Sequence, residues 1–324
     1  MNSSQNIRWG IIGLGKIAGK FAQDLATVPN CELYAVASRN KEKAKHFAAE
    51  FKAQKAFDSY EALAACDEVD AVYIATPHSF HKEHSILCLQ HKKAVLCEKP
   101  FAMNLAEVEE MIAVAKEHDV LLMEALWTYF LPHYTYVLDL IQNETYGKIK
   151  TLEADFGFFT PFDENSRVFK KEVGGGSVLD IGIYPIFAAL TTLGVPSEIQ
   201  AKATFFDNGA DSSCDIVFQY PEAQAFLKST LLAQTPTQAI FTCERAIIQI
   251  NTRFHQPSSV TIQQGDNEET ITFPYQTIGY SYEADHFNTL LRTGQKESDV
   301  MTFEMSRNLI RLLDTVRSQI NLRY

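Results

Sequence analysis

The sequence predicts an α/β protein: a doubly wound parallel sheet in its N-terminal part, then an α+β domain built on a large, mostly antiparallel sheet. Three observations carry this. The 324 residues exceed the ~100–200 usual for one domain, so two domains are expected. Up to about residue 124, short apolar runs alternate with amphipathic segments, as when helices cover both faces of a parallel sheet. From Ile149 onward, strand-like runs follow one another through short turns. The expected domains are residues 1–124 and 125–324.

In order along the first domain, "IRWGII", "ELYAVAS", "AVYIAT", "AVLCE" and "VLLME" read as strands, with helical patterns between them. Asn104 followed by Glu107 predicts a capping box, in which each side chain satisfies a backbone donor of the other residue, and Asp58 predicts another cap. After "MEALWTYFLPHY" helical periodicity runs to about residue 143. Strands are then expected at 149–159, 198–207, 213–220, 224–232, 238–242, 246–250, 259–264 and 268–274, and helices near 178–193, 281–293 and 303–320.

Composition narrows the function. A formal charge of −11 argues against a nucleic-acid surface, which needs clustered Lys and Arg. The six cysteines, at 31, 66, 88, 97, 214 and 243, form no CxxC pair and sit in apolar patterns, as reduced buried thiols do. The start, "MNSSQNIRW", lacks the basic and apolar regions of a signal peptide. No apolar stretch approaches the ~18–20 residues needed to span a bilayer. The expectation is a cytoplasmic protein with no membrane partner.

"IRWGIIGLGKIAGKF" puts a GxGxxA turn between the first strand and the first helix, the context of a Rossmann dinucleotide site. Gly13 permits the tight turn, Gly15 admits a pyrophosphate against the backbone and Ala18 allows close helix packing; Lys16 and Ile17 join them as candidate cofactor contacts. At the end of the second strand, where a carboxylate would repel a 2′-phosphate, stand Ser38 and Arg39. Arg39 offers a fork suited to phosphate oxygens, and Lys43 adds charge if it shares that helix face. NADP is therefore preferred and NAD remains possible; the alternative is a solvated Arg39 on a loop. Glu32 opens that strand rather than closing it and cannot replace the missing carboxylate.

Ligands on such sheets bind beyond the carboxyl ends of the strands, which brings forward "TPHSFH" and "EKP". Lys99 between an acid and a proline is an odd core residue and well placed for chemistry. In "GGGSVLDIGIYP", Asp180 and Tyr184 lie four apart and share one face of a helix. A nearby ammonium favours tyrosinate, so a Lys, Asp and Tyr together suit transfer of a hydroxyl proton. The bland alternative is a surface Asp and Tyr.

"GIIGLGKIA", "ATPHSFHKE", "CEKP", "MEALWTYFLP" and "GGGSVLDIGIYP", in this order, resemble the Gfo/Idh/MocA oxidoreductase family over essentially the whole chain. The branch is similar to the one holding dimeric dihydrodiol dehydrogenase, NADP-dependent D-xylose dehydrogenase and glucose-fructose oxidoreductase. The resemblance implies that Lys99 and Tyr184 are catalytic, Tyr184 as general acid/base, and that Asp180 orients substrate or relays a proton. It places Thr76, Pro77, His81 and Glu98 near the cofactor, implies a cis Lys99–Pro100 bond, and implies that the open C-terminal sheet forms a homodimer or higher homo-oligomer. Relatives carry an Arg where this chain has Tyr129, which puts a contact in doubt; Arg167 matches a second Arg that can reach cofactor or substrate. His78, at the sheet's mouth, and Trp127 are candidates for lining the substrate pocket, Trp127 also for cofactor contact.

His78, His81, His84, Cys88 and His91 invite a metal reading, but spacings of three swing around a helix and no matched carboxylate or cysteine cluster accompanies them, so no metal is expected. Phe159 and Phe162 read more readily as core than as stacking platforms. Gly174, Gly175 and Gly176 lack the context of a phosphate loop; the expectation is close passage of the backbone by the cofactor and entry into the Asp180 helix. The expected activity is NADP-dependent oxidation of a secondary alcohol or hemiacetal of a sugar, polyol or cyclic diol. The alternatives are a non-catalytic NAD(P)-binding regulator of the same fold and an inositol or amino-sugar dehydrogenase, whose members more often have His at the position of Tyr184.

Overall fold

The computed structural model of the protein describes residues 6–324. The polar stretch read above as lacking a leader begins outside the described residues, at 1–5. The chain forms two compact units: residues up to Trp127 with Gln276–Arg307, and Thr128–Tyr275 with Asn308–Tyr324. The break thus falls after Trp127 where residue 124 was expected, and residues 276–307, expected in the second domain, belong to the first unit. Trp9 and Asp24 explain this return. The Trp9 indole donates to Asn288 at 3.0 Å, and the Asp24 carboxylate accepts from the backbone N–H of Gly279 and Tyr280 at 2.9 and 2.8 Å.

In the first unit β1 (Ile7–Ile12), α1 (Lys16–Leu25), β2 (Cys31–Ala37), α2 (Lys41–Phe51), β3 (Lys55–Phe57), α3 (Tyr60–Ala64), β4 (Ala71–Ile74), α4 (His81–Gln90), β5 (Ala94–Glu98), α5 (Leu105–His118) and β6 (Leu122–Ala125) follow in turn. The strands lie in the order β3-β2-β1-β4-β5-β6, all parallel. Strands β4, β5 and β6 are buried along their whole length, which is why they read as continuous apolar runs. β3 escaped the sequence reading because three residues, Lys55 to Phe57, are too few to show a period. The cap before α3 is Ser59, whose hydroxyl accepts from Ala62 N–H at 3.1 Å, not Asp58. Asn104 caps α5 as expected, accepting from Glu107 N–H at 3.0 Å; the Glu107 carboxylate accepts from Met103 N–H, one residue earlier than a capping box requires. The strand order reverses between β1 and β4, so the loops after these strands border the crevice at the switch point.

The second unit begins with α6 (Pro132–Gln142) and continues through β7 (Ile149–Gly157), α7 (Ile183–Leu193), β8 (Glu198–Phe205), β9 (Asp211–Gln219), β10 (Gln224–Thr230), β11 (Ala239–Cys243), β12 (Ile247–Ile250), β13 (Val260–Gln264) and β14 (Asn267–Ile271). Its eight strands run β14-β13-β12-β11-β7-β10-β9-β8, antiparallel except for β7 with β10. The chain then returns through α8 (Tyr280–Thr293) to the first unit and closes with α9 (Phe303–Gln319). Helix α7 packs on β7 and β10, on one face of the sheet. On the opposite face Glu153, Gln200, Asp215, Phe226 and Ile240 line a groove of about 560 Å³.

One helical stretch, Lys171–Leu193, is apolar and long enough to cross a bilayer, where none was expected; 94% of its most apolar window is buried, so it serves as a core helix. The cysteines are unbridged thiols, all buried but the half-buried Cys31.

Candidate active site

In the first unit the backbone sets the site. Gly13 has φ +90°, and a Cβ there would lie 2.6 Å from the carbonyl carbon of Ala75 and the nitrogen of Thr76. Only glycine lets the β1 turn close against the end of β4. A Cβ on Gly15 would meet nothing within 4 Å, so that glycine keeps open the space just ahead of α1. Gly15 stands at the N-cap of α1 without a side-chain cap, leaving first-turn N–H groups for a ligand. Lys16 and Ile17 open that helix. An anion-admitting gap before an uncapped helix N-terminus fits a dinucleotide's pyrophosphate.

Beyond β2, Ser38 is buried; its hydroxyl accepts from Asn40 N–H at 3.2 Å and its N–H donates to Phe57 O. Ser38 therefore shapes the turn. Asn40 caps α2 by accepting from Lys43 N–H at 3.0 Å, and Arg39 and Lys43 are exposed beside it. Two exposed cations thus stand at the strand end and in the first helical turn.

His81 is wholly buried, and its two ring nitrogens lie 2.8 Å from Pro100 O and 2.8 Å from Thr76 O. The imidazole ties the loop after β4 to the loop after β5. It positions the two loops. Thr76 also bonds the His84 ring through its hydroxyl at 3.1 Å, and burial lowers the pKa of that imidazole. Pro77 leads into a short 3-10 turn, where the buried His78 ring packs edge-on against His81 at 5.7 Å.

Lys99 follows β5, and the Lys99–Pro100 bond is cis, as the resemblance implies. The Glu98 carboxylate turns inward: Tyr73 donates to one oxygen and the Lys99 N–H reaches the other at 3.2 Å. Behind this turn lie two more buried acids. Glu124 accepts from Phe101 N–H at 3.0 Å, and burial pushes its carboxyl up to about 7. Glu283, fully buried on α8, is pushed well above the carboxylate range by burial and then by Glu98. Trp127 lies face to face with Tyr280, ring centroids 4.4 Å apart and planes within 1°.

In the second unit, side chains set the site. Residues Val178–Gly182 form a wide, π-helical turn that leads into α7, so Asp180 sits in the turn and Tyr184 in the first turn of the helix proper. The sequence reading expected one regular helix; such widened turns accompany functional sites. Asp180 is largely buried and pairs with Arg167 Nη2 at 3.0 Å. The buried Tyr184 ring contacts His255 at 4.8 Å and Phe156 at 5.6 Å, and His255 stacks on Phe156 at 4.2 Å.

The turn is anchored by Asp211, which no pattern in the sequence reading signalled. Its Oδ2 accepts from the Ser177 hydroxyl and from Val178 N–H, each at 2.7 Å, and burial raises its pKa. Gly176 has φ +125°, and a Cβ there would lie 2.1 Å from Asp211 Oδ1. A Cβ on Gly175 would lie 2.6 and 2.7 Å from the carbonyl oxygens of Lys170 and Arg167. The glycine triplet thus feeds the chain into the Asp180 turn, and its tight neighbours are the protein's own atoms.

Tyr129, at the position where the family resemblance implied an Arg, packs edge-on against Phe187 at 5.1 Å. Phe159 and Phe162 are 66% and 47% exposed, unlike the core residues expected, although Phe162 also packs on Phe169 and Phe206. Among the described residues no three His, Cys, Asp or Glu side chains gather as a metal site would require. Lys99 belongs to the first unit, Asp180, Tyr184 and Arg167 to the second.

The family model described as "Oxidoreductase family, NAD-binding Rossmann fold" matches residues 7–126, and "GFO/IDH/MocA C-terminal domain" matches residues 134–249. The chain is 36% identical over 330 residues to trans-1,2-dihydrobenzene-1,2-diol dehydrogenase of Xenopus tropicalis, covering 98% of this chain and 99% of that one. It is 34% identical over 325 residues to scyllo-inositol 2-dehydrogenase (NADP(+)) of Bacillus subtilis (strain 168), covering 98% of each. Among solved structures, a 3-ketoreductase from Actinomadura kijaniata in complex with NADP and TDP-benzene superposes with a TM-score of 0.89 at 29% identity, covering 98% of both chains. With the glycine turn, the strand order and both matched domains in sequence, the chain belongs to the GFO/IDH/MocA family and is an NAD(P)-binding oxidoreductase.

Proposed function

We propose that the protein is an NADP-preferring dehydrogenase that oxidises a secondary alcohol or hemiacetal carbon of a sugar, polyol or cyclic diol. The observation that carries the cofactor preference is the pair Ser38 and Arg39 beyond β2, with Lys43 in the first turn of α2, in place of the carboxylate that at the end of β2 would repel a 2′-phosphate. A relative named for NADP(+) and a similar structure holding NADP support it. The substrate class is supported by relatives named for a cyclic diol and for an inositol.

In this reading Tyr184 takes the hydroxyl proton as general base, Lys99 supplies the ammonium that favours the phenolate, and Asp180 orients the substrate. A bound nicotinamide would supply the hydride acceptor. Arg167 aims the Asp180 carboxylate by direct pairing. Gly13, Gly15, Lys16 and Ile17 hold the pyrophosphate, while Thr76, Pro77, Glu98 and Trp127 shape the cofactor's surroundings and His78 and Trp127 line the substrate's. We further propose a homo-oligomer through the outer face of the second unit's sheet, where Phe226 is 43% exposed in the groove, and a cytoplasmic location, supported by six unbridged thiols.

The test is reduction of NADP and NAD, followed by absorbance, with D-xylose, myo-inositol and trans-cyclohexane-1,2-diol. Tyr184→Phe is expected to lower kcat by about 10²–10⁴ while NADP affinity stays unchanged. Tight NADP binding with no turnover of any polyol would instead favour a regulatory protein, and undiminished turnover would remove Tyr184 from proton transfer.

A further inference from the structure

We propose that Asp211 is a positioning residue for the reaction: by binding Ser177 and Val178 it holds Val178–Gly182 in the wide, π-helical register that sets where Asp180 stands relative to Tyr184. The inference deepens the proposed function and rests on its assignment of Asp180 to substrate orientation and of Tyr184 to proton transfer.

The wide turn is held at both ends by the sheet beneath it. At its start, Asp211 opens β9 wholly buried, and its Oδ2 accepts from the Ser177 hydroxyl and from the Val178 N–H, each at 2.7 Å. Both are short bonds of the kind a carboxylate receives. The Ser177 hydroxyl has one proton and gives it to Asp211, so across the 2.9 Å to Ser229 on β10 it is Ser229 that donates. At its end, Gly182 lies against the same Ser229: a Cβ there would stand 3.1 Å from the Ser229 Oγ and 3.4 Å from Ser177 O. Two strands thus fix the ends of the turn, and five residues bridge them.

Ser177 shows what Asp211 overrides. A serine just ahead of a helix ordinarily accepts from an N–H in the first turn, which draws that turn into α form. Ser177 occupies this place and makes no such bond, because its hydroxyl is turned to Asp211.

The register has a chemical consequence. Four residues carry a regular α-helix just past one full turn. A π-helical turn needs more residues to come round, and part of the step from Asp180 to Tyr184 runs through it. Relaxation to a regular helix would therefore rotate Asp180 about the axis relative to Tyr184 and draw it off Arg167 Nη2, now at 3.0 Å. A misplacement of about 1 Å in a group that orients substrate costs up to about 100-fold in rate.

The experiment compares wild type with Asp211→Ala, Asp211→Asn and Ser177→Ala. Each is assayed with NADP and whichever of D-xylose, myo-inositol and trans-cyclohexane-1,2-diol wild type oxidises fastest. The readouts are kcat, the NADP dissociation constant by fluorescence titration, and the crystal structure of each variant. Asp211→Ala is expected to lower kcat by about 10–100-fold with NADP affinity unchanged, and to show residues 178–182 as a regular α-helical turn. Asp211→Asn keeps a carbonyl oxygen able to accept from Val178 N–H, so it should keep the wide turn and recover most of kcat, a rescue that mere loss of stability would not give. Ser177→Ala removes one of the two bonds to Oδ2 and should lower kcat by about 3–10-fold; it decides the matter if Asp211→Ala fails to fold. A wild-type kcat in Asp211→Ala or, in its place, Ser177→Ala would overturn the proposal. So would kcat and NADP affinity falling together, or an intact π-helical turn in Asp211→Ala. If wild type oxidises none of the polyols, the dehydrogenase reading fails and takes the positioning role with it, whereas failure of this proposal alone leaves wild type active.

Discussion

The two units prepare their residues by opposite means. In the first, backbone is shaped and side chains are kept away: Gly15 leaves open space before α1, and the His81 ring is spent on two carbonyls rather than offered outward. In the second, side chains are crowded together: Asp211 anchors the turn, Arg167 pairs with Asp180, and His255 and Phe156 press on Tyr184. Binding a common cofactor asks for backbone donors and room. Choosing a substrate and moving a proton asks for specific polar groups in fixed contact.

A pair of glycine substitutions tests this contrast with the largest expected effects. Gly176→Ala would drive a Cβ to 2.1 Å from Asp211 in a backbone region that alanine rarely enters. It should cost several kcal/mol, roughly 3 or more, and lower Tm by several degrees. Gly15→Ala meets no protein atom within 4 Å, so Tm should hold while NADP affinity falls by about tenfold or more, a loss measurable by fluorescence titration. Equal Tm losses in the two variants would erase the distinction between them.

That contrast also decides how much was legible. The GxGxxA turn, Ser38 with Arg39 and the EKP segment were readable because backbone-built sites need particular residue types at short, fixed spacing. Strands on both sides of residue 149 were readable from period, and only the three-residue β3 was lost. Asp211 and His255 were not, because each acts on a partner tens of residues away, Asp211 on Val178 and His255 on Tyr184. A lone Asp opening "DSSCDIVF" and a lone His in "RFHQP" carry no local signature. The Asp180–Tyr184 spacing put both residues on one helical segment and was blind to its π-helical turn, where Asp211 anchors Val178 and the glycines pack closely, features that leave no mark on periodicity.

Arg39→Asp asks whether the first unit's selectivity resides in one exposed side chain. On the proposed NADP preference, replacing this cation with a carboxylate would remove a charged hydrogen bond to the 2′-phosphate and add repulsion, so KM for NADP should rise by about 10–100-fold while KM for NAD falls. The ratio of kcat/KM for the two cofactors reads this directly. Because Arg39 is exposed, Tm should move little. If NADP preference survives, Lys43 and the backbone carry it, and the first unit's selectivity is more distributed than the sequence implies.

The smallest effect concerns the buried acids behind Lys99. Burial raises the Glu124 carboxyl from an ordinary 4.5 to about 7 in the folded protein, so between those values the folded state holds a proton that the unfolded chain releases. Stability must then fall as pH rises through this window, and the loss is complete only above the folded value. At 1.36 kcal/mol per pH unit the full cost is at most about 3 kcal/mol. Glu124→Gln keeps an oxygen able to accept from Phe101 N–H and has no proton to lose, so its Tm should exceed wild type most at pH 8 and converge with it near pH 5. Parallel melting curves at both pH values would mean that the acid is ionised in the fold, with its charge offset by Lys99 and the Ser306 hydroxyl despite its burial.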